Sequence, residues 1–154
     1  MPELFAGADE ISSGLLRHLH VRDTTFVYVS RAPLVKIEAY KASKGWTFPW
    51  YSSYGSDCNY DFHAMLVESV APVEYNFQTI DHQDEQSAEA PGRSSFLREG
   101  DSVFHTYSVY ARGLETFGGS YYFLDETALG RQEDWEEPKG RAAAARGAVP
   151  DFSS

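Results

Sequence analysis

The sequence predicts one α/β domain in which a central sheet is flanked by helices. Helix-like and strand-like segments alternate over the first half of the chain, and a hairpin pattern followed by a further helix lies in the second half. The length of 154 residues fits one domain. Hydrophobic residues make up 42% of the chain and aromatic residues 15%, so the composition favours a buried core and excludes a disordered chain.

Local patterns predict the first three elements. Asp9 is a suitable N-cap for a helix whose apolar face has helical spacing: Ile11, Leu15, Leu16 and Leu19. The β-branched and aromatic stretch from Thr24 to Ser30 predicts a buried strand. Pro33 suits the first turn of a second helix, and Gly45 suits its end.

The middle of the chain is less regular. Residues 47–53 predict a short extended segment, and Tyr54-Gly55 predicts a turn. Ser56 is the expected cap of a short helix that reaches Met65. Residues 81–92 are polar and acidic, which is typical of a loop.

A hairpin is the clearest pattern in the second half. Ser94–Leu97 and Val103–Tyr107 are strand-like, and the turn between them contains Gly100. Residues 111–117 suggest a helix that Gly118-Gly119 stops, and residues 121–124 form an apolar patch that has to pack on the core. This order of elements favours a sandwich of thioredoxin type.

Composition divides the chain into two parts. We expect a domain over residues 1–130 and a polar, Ala- and Gly-rich tail over residues 131–154 that packs loosely or wraps a partner.

Charge and hydropathy exclude several classes of function. Thirteen Lys and Arg against 23 Asp and Glu give a net charge of −10, which disfavours nucleic acid and anionic membranes as partners. No apolar run approaches the roughly 20 residues of a membrane helix. The acidic start lacks the apolar region of a secretory signal, and the single cysteine, Cys58, cannot form an internal disulfide. We therefore expect a cytoplasmic protein.

Two long stretches resemble a known family: GWTFPWYSSYGSDCNYDF at residues 45–62 and VFHTYSVYARG at residues 103–113. Shorter matches are VSRAPL at residues 29–34 and LGRQE at residues 129–133. Together they resemble a bacterial thioredoxin-like family, domain-of-unknown-function family 899, over about residues 9–140. The resemblance implies a thioredoxin-like sandwich and an ancestry among thiol-disulfide oxidoreductases or peroxidases.

The chain also departs from the family pattern. Relatives carry a preceding strand and a Cys-x-x-Cys-like motif, whereas residues 1–8 contain no cysteine, and Cys58 stands where an aromatic residue is usual. The missing strand would lie between the predicted strands at residues 24–30 and 94–97, so two strand edges would lose their partners. We expect either a chain shortened at its N terminus or a substitute strand, supplied by a homodimer.

Cys58 is the candidate catalytic residue. Only a thiolate attacks, and a helix N-terminus at Ser56 would lower the pKa of the thiol, whereas Asp57 and Asp61 would raise it. Two interpretations stay open. Cys58 is either a one-cysteine peroxidase or thiol-exchange site, or a small semi-buried residue in the place of an aromatic ring.

Two arginines and a proline are further candidates. By analogy with peroxiredoxins, Arg93 assists a thiolate, although an exposed surface arginine is the simpler interpretation. Pro91 is either the cis-proline of a thioredoxin site or an ordinary loop proline. Arg112 meets a substrate carboxylate or forms a structural ion pair with Asp125.

Aromatic residues are concentrated at residues 46–62. We expect Trp50, Tyr60 and Phe62 in the core, and we expect one set of neighbours to line a small-molecule pocket: Tyr51, Ser52, Ser53 and Tyr54. One further group consists of residue types that bind divalent metals: His63, Asp57, Asp61 and His105. The spacing of these residues matches no metal-binding motif. We therefore predict neither a metal nor another cofactor.

The sequence thus leaves two functions open. One is thiol-dependent oxidoreductase or peroxidase-like chemistry inherited from the family, with a thiol partner but without the Cys-x-x-Cys pair. The other is a non-catalytic binding or assembly module that uses the aromatic pocket, with a small molecule or a second copy of the chain as partner.

Overall fold

The computed structural model describes residues 8–67, 74–79, 88–115, 119–133, 136–137 and 140–142. The helices are α1 Ser13–His20, α2 Leu34–Lys44, α3 Cys58–Asp61 and α4 Ser120–Asp125, with 3-10 turns at residues 8–10 and Ala111–Glu115. The strands are β1 Tyr28–Ser30, β2 Trp50–Ser52, β3 Met65–Leu66, β4 Glu74–Tyr75, β5 Gln78–Thr79, β6 Ala88–Glu89, β7 Gly92–Glu99 and β8 Ser102–Tyr110. The predicted α/β class is confirmed. No helix within these ranges has the length and apolar character needed to cross a membrane.

The described strands form four two-stranded sheets, whereas the sequence predicted one central sheet. The pairs are β1 with β2, which is parallel, and three antiparallel pairs: β3 with β6, β4 with β5, and β7 with β8. Arg31 directly follows β1, and its backbone N–H donates to the Glu89 carboxylate at 3.0 Å. This hydrogen bond connects the end of β1 to Glu89 of β6.

The first helix begins three residues later than predicted. Ser12 is its N-cap, because the Ser12 hydroxyl accepts a hydrogen bond from the backbone N–H of Leu15 at 3.1 Å. Asp9 lies in the preceding 3-10 turn, and its carboxylate accepts from the indole N–H of Trp46 at 2.9 Å. The predicted cap is therefore wrong, but Asp9 still ties the start of the chain to the core.

The unit β1–α2–β2 agrees closely with the sequence. Helix α2 begins after Pro33 and ends at Gly45, whose φ of 69° is the left-handed conformation that glycine adopts without strain. The strand is shorter than the predicted 24–30, since only its last three residues pair with β2. The Trp50 indole donates to the Ser30 hydroxyl at 3.0 Å across this parallel pair.

The core lies where α1, α4 and the β1–β2 pair meet. It is formed by buried apolar residues of these elements, of α2 and of the adjoining segments: Ala8, Ile11, Leu15, Leu19, Ile37, Phe48, Trp50, Phe123 and Leu124. Phe26 contacts the rings of Phe48 and Phe123 edge to face, at 6.5 and 5.6 Å between centroids. The apolar patch at residues 121–124 thus packs through Phe123 and Leu124 against the first helix.

The predicted helix from Ser56 to Met65 is too long. It ends at Asp61, because His63 adopts a positive φ of 49° that a helix cannot accommodate, and Met65 pairs with Glu89 in β3–β6. The predicted helix at residues 111–117 is a 3-10 turn over Ala111–Glu115, and its last two residues lie outside the described ranges. Of the predicted loop at residues 81–92, residues 81–87 also lie outside them, whereas Ala88–Glu89 form β6 and Gly92 begins β7.

The hairpin β7–β8 is longer than predicted and carries a β-bulge. Ser95 pairs with Tyr107 and Phe96 pairs with His105, so Thr106 is an extra residue on β8. Gly100 turns the chain with a φ of 60°.

Described residues of the predicted 131–154 tail pack on the rest of the protein. The buried Gln132 amide donates to the carbonyl of Arg22 at 2.5 Å, and its oxygen accepts from the backbone N–H of Arg141 at 2.7 Å. Arg141 also pairs with Glu99 at the hairpin turn, at 2.9 Å. The division at residue 130 itself stays a prediction.

Candidate functional site

The predicted pocket residues lie at the end of β2 and in the turn that follows it: Tyr51 and Ser52 belong to the strand, and Ser53 and Tyr54 lead towards α3. The Ser52 hydroxyl donates to the carbonyl of Ala32 at 2.7 Å, and the buried Ser53 hydroxyl bonds to the side-chain amide oxygen of Asn59. The rings of Tyr51 and Tyr54 are 59% and 68% exposed. The two serines therefore hold the turn in place while the two tyrosines face solvent, and a small-molecule pocket here stays a prediction.

Of the three aromatic residues assigned to the core, only Trp50 is buried in it. Tyr60 is partly exposed and lies 5.1 Å under the Arg31 guanidinium. Phe62, also partly exposed, packs edge to face on Phe96 of the hairpin at 5.4 Å. Phe62 therefore joins α3 to the hairpin.

Cys58 lies at the first residue of α3, and its side chain is partly buried. Burial raises the pKa of the Cys58 thiol, and the nearby Asp61 carboxylate raises it further. The lowering expected from a helix N-terminus at Ser56 is outweighed, because α3 is only four residues long. A raised pKa lowers the fraction of thiolate, the form of a cysteine that attacks, at neutral pH.

Arg93 is part of an ion pair. Its guanidinium binds both carboxylate oxygens of Glu126, and each side chain is only 14% exposed. The same guanidinium lies 5.0 Å from the ring centre of Phe123. Burial raises the pKa of the Tyr28 hydroxyl, and the positive charge of Arg93 offsets part of this rise. These contacts make Arg93 a link between β7, α4 and β1. The interpretation as an exposed surface arginine is wrong, whereas a role beside a thiolate stays a prediction.

The other predicted side chains have separate roles. Arg112 lies in the 3-10 turn after β8, and its side chain lies outside what is described. Asp125, its suggested partner, binds Arg131 through two hydrogen bonds of 2.7 and 2.6 Å, and this bonding lowers the pKa of the Asp125 carboxyl. Pro91 accepts a hydrogen bond from the Tyr75 hydroxyl at 2.9 Å through its carbonyl.

The suggested metal ligands do not come together. His63 lies 3.8 Å from Glu74, whereas the His105 ring is hydrogen-bonded to Ser108 on the hairpin. Over the described ranges, no three His, Cys, Asp or Glu side chains are grouped so that they could hold a metal ion.

The hairpin carries a polar network that sequence reasoning missed. The Nε2 atom of His105 lies 2.7 Å from the Ser108 hydroxyl, which in turn lies 2.7 Å from the Ser94 hydroxyl. Side chains of a regular strand alternate between faces, so residues 105 and 108 would lie on opposite sides. The extra residue Thr106 shifts this alternation and places His105 on the same face as Ser108.

A groove of about 570 Å³ lies beside this network. It is lined by residues 105–110 of β8 and by Asn76 and Phe77 at the tip of the β4–β5 hairpin. The ring of Phe77 contacts the ring of Tyr110 at 5.5 Å between centroids, so the two hairpins touch at the groove. Tyr110 is buried and donates from its hydroxyl to the carbonyl of Phe62 at 3.0 Å. The groove is therefore built against the anchored end of β8.

The remainder of the hairpin exposes large apolar side chains. Four of them are between 44% and 64% exposed: Phe96, Val103, Phe104 and Tyr107. Phe96 and Val103 share one face of the hairpin, whereas Phe104 and Tyr107 share the other. Neither face is therefore covered along its whole length by the described part of the chain.

A family model for bacterial proteins of unknown function, DUF899, matches residues 6–146. The chain belongs to the DUF899 family. No curated protein and no solved structure matches the chain significantly.

The predicted resemblance to this family is therefore confirmed, but the family description assigns no site. Within this DUF899 chain, the hairpin groove had one visible signal: β8 has nine residues and no Lys, Arg, Asp or Glu. A strand so long and so free of charge is unusual at the edge of a sheet. The contribution of Phe77 had no such signal, because it depends on contacts between distant hairpins.

Proposed function

We propose that this DUF899 protein is a non-catalytic binding module that accepts an extended polypeptide segment along the outer edge of β8. One observation carries the proposal. The groove contacts six successive residues of β8, from His105 to Tyr110. Because these residues include side chains from both faces of the hairpin, such as Tyr107 and Ser108, a groove that touches all six follows the edge of the strand. Such an edge binds an extended segment through its backbone N–H and C=O groups.

The chemistry of β8 supports this role. Within the described ranges β8 pairs only with β7, so its other edge has no strand neighbour there. Natural edge strands are usually protected by charges, proline or β-bulges. Strand β8 contains no Lys, Arg, Asp, Glu or Pro, and its bulge at Thr106 leaves residues 107–110 as a regular strand. Exposed rings such as Phe104 and Tyr107 would gain apolar contacts from a bound segment.

The surroundings of Cys58 argue against thiol catalysis as the function of this chain. Its thiol has a raised pKa, and the chain contains no second cysteine. Arg93, the residue suggested to assist a thiolate, binds Glu126. The parallel β1–α2–β2 unit and the β7–β8 hairpin are compatible with a thioredoxin-like ancestry, which we retain as part of the proposal.

The proposal is tested with a fluorescently labelled peptide of alternating valine and threonine, added to the whole chain. We expect saturable binding in fluorescence anisotropy. Tyr107→Lys places a charge at the edge and should weaken binding at least about tenfold, since burying an unpaired charge costs more than about 1.4 kcal/mol. Val35→Lys is the matched control, because Val35 is 82% exposed on α2.

The control should bind as tightly as the unmodified chain. Absence of saturable binding would contradict the proposal. Equal loss of affinity in Tyr107→Lys and Val35→Lys would also contradict it, because it would show a general effect of charge.

A further inference from the structure

We infer that the segment accepted by β8 is β8 of a second copy of this chain, so that two hairpins join into one four-stranded antiparallel sheet. This inference rests on the proposed function and specifies its partner. Three features of the described residues carry it: the charge of the edge, the symmetry of the pairing and the state of the opposite edge.

Charge selects the place at which two copies can meet. Each chain carries a net charge of −10, so contact through most of the surface brings like charges together. The groove beside β8 is lined by uncharged residues and one histidine, His105. Two copies that meet along β8 therefore place no carboxylate opposite another carboxylate, which would destabilise a strand pair.

Antiparallel pairing of a strand with itself satisfies two-fold symmetry without a second binding surface. The bulge at Thr106 interrupts the regular strand, so the pairing falls on the part of β8 that follows it. Residues that face each other in an antiparallel pair lie on the same side of the sheet. A two-fold axis at Ser108 places Tyr107 opposite the partner's Val109, and these two residues lie on the same side of the sheet. Pairs of an aromatic and a β-branched residue stabilise sheets.

The outer edge of β7 is less suited to this role. It carries Arg93, Arg98 and Glu99, so self-pairing would bring charged side chains into contact. Near its end, the carbonyl of Arg98 already accepts a hydrogen bond from the Arg141 guanidinium at 2.6 Å. On β8, the carbonyl of Tyr107 likewise lies 3.0 Å from Nε2 of His105, so the charged residues of β7, and not an occupied carbonyl, make β8 the better edge for a second copy.

Sedimentation equilibrium of the whole chain tests the inference. We expect the mass to rise with concentration from 17.3 kDa towards twice that value. Tyr107→Lys should remain at 17.3 kDa over the same range, whereas the control Val35→Lys should behave as the unmodified chain does. Circular dichroism establishes whether each variant is folded.

The unmodified chain also gives a readout that needs no variant. Hydrogen exchange of the amides at residues 107–110 should slow at concentrations where the dimer forms. A chain that remains monomeric would overturn the inference, and so would a dimer that Tyr107→Lys leaves intact. If the unmodified chain remains monomeric but binds the valine-threonine peptide, the proposed function stands and only the inference that the partner is a second copy is wrong. If it binds no peptide, both are wrong.

Discussion

Unequal anchoring of β8 along its length leads to a direct prediction about stability. Tyr110, at its end, is 5% exposed and donates to the carbonyl of Phe62 at 3.0 Å. Removing only the hydroxyl in Tyr110→Phe should cost about 1 kcal/mol, the usual net value of a neutral hydrogen bond. Removing the buried ring in Tyr110→Ala should cost about 3–5 kcal/mol, as for other buried aromatic residues.

Phe104 lies on the same strand near the turn, and its ring is 49% exposed. Phe104→Ala should therefore cost less than about 1 kcal/mol, because substitutions at exposed positions usually change stability by about 0.5 kcal/mol or less. Urea denaturation followed by tryptophan fluorescence gives the free energy of unfolding for each variant, provided that the slope with denaturant is unchanged. Measurements at low protein concentration keep association out of the comparison.

Equal costs for Phe104→Ala and Tyr110→Ala would refute this reasoning. That result would mean that the turn end of the hairpin is packed within the monomer. The exposed surface on which the binding proposal depends would then be absent.

Two further predictions concern the residues considered for thiol chemistry. Iodoacetamide should modify Cys58 slowly in the native protein and faster in urea, because burial raises the pKa of the thiol and so lowers the thiolate fraction at neutral pH. Asp61→Asn should accelerate the modification of the native protein, whereas the control Asp101→Asn should not. Rapid modification of the unmodified native chain would contradict this account. For the largely buried ion pair, Arg93→Met and Glu126→Gln should each cost about 1–3 kcal/mol, between the values for exposed and buried pairs, and the double variant should cost less than their sum. Strictly additive costs would show that the two side chains do not stabilise each other.

Local signals explain which elements the sequence predicted. Helix α2 has a proline before it and a glycine after it, and the hairpin has strand-like segments on both sides of Gly100, so both were found near their observed positions. The cap of α1 was misplaced because both Asp9 and Ser12 suit that position. The hydrogen bond from the Leu15 N–H to the Ser12 hydroxyl decides between them, while Asp9 accepts from the Trp46 indole.

The candidate site was harder to predict, because it depends on contacts between distant segments. The network of His105 and Ser108 requires a bulge, which sequence spacing alone does not indicate. The ion pair of Arg93 with Glu126 joins residues 33 positions apart. Sequence reasoning found Arg93 by analogy with a related fold, but its partner emerged only from the packing of α4 against β7.

The most direct test of the central claim is to locate the bound peptide on the backbone. Uniformly ¹⁵N-labelled protein is titrated with the unlabelled valine-threonine peptide, and the amide resonances are followed by nuclear magnetic resonance. We predict that the largest changes fall on the amides of residues 105–110 and of Asn76 and Phe77, which line the groove. Changes confined to the turn at residues 51–54, with β8 unaffected, would contradict the account.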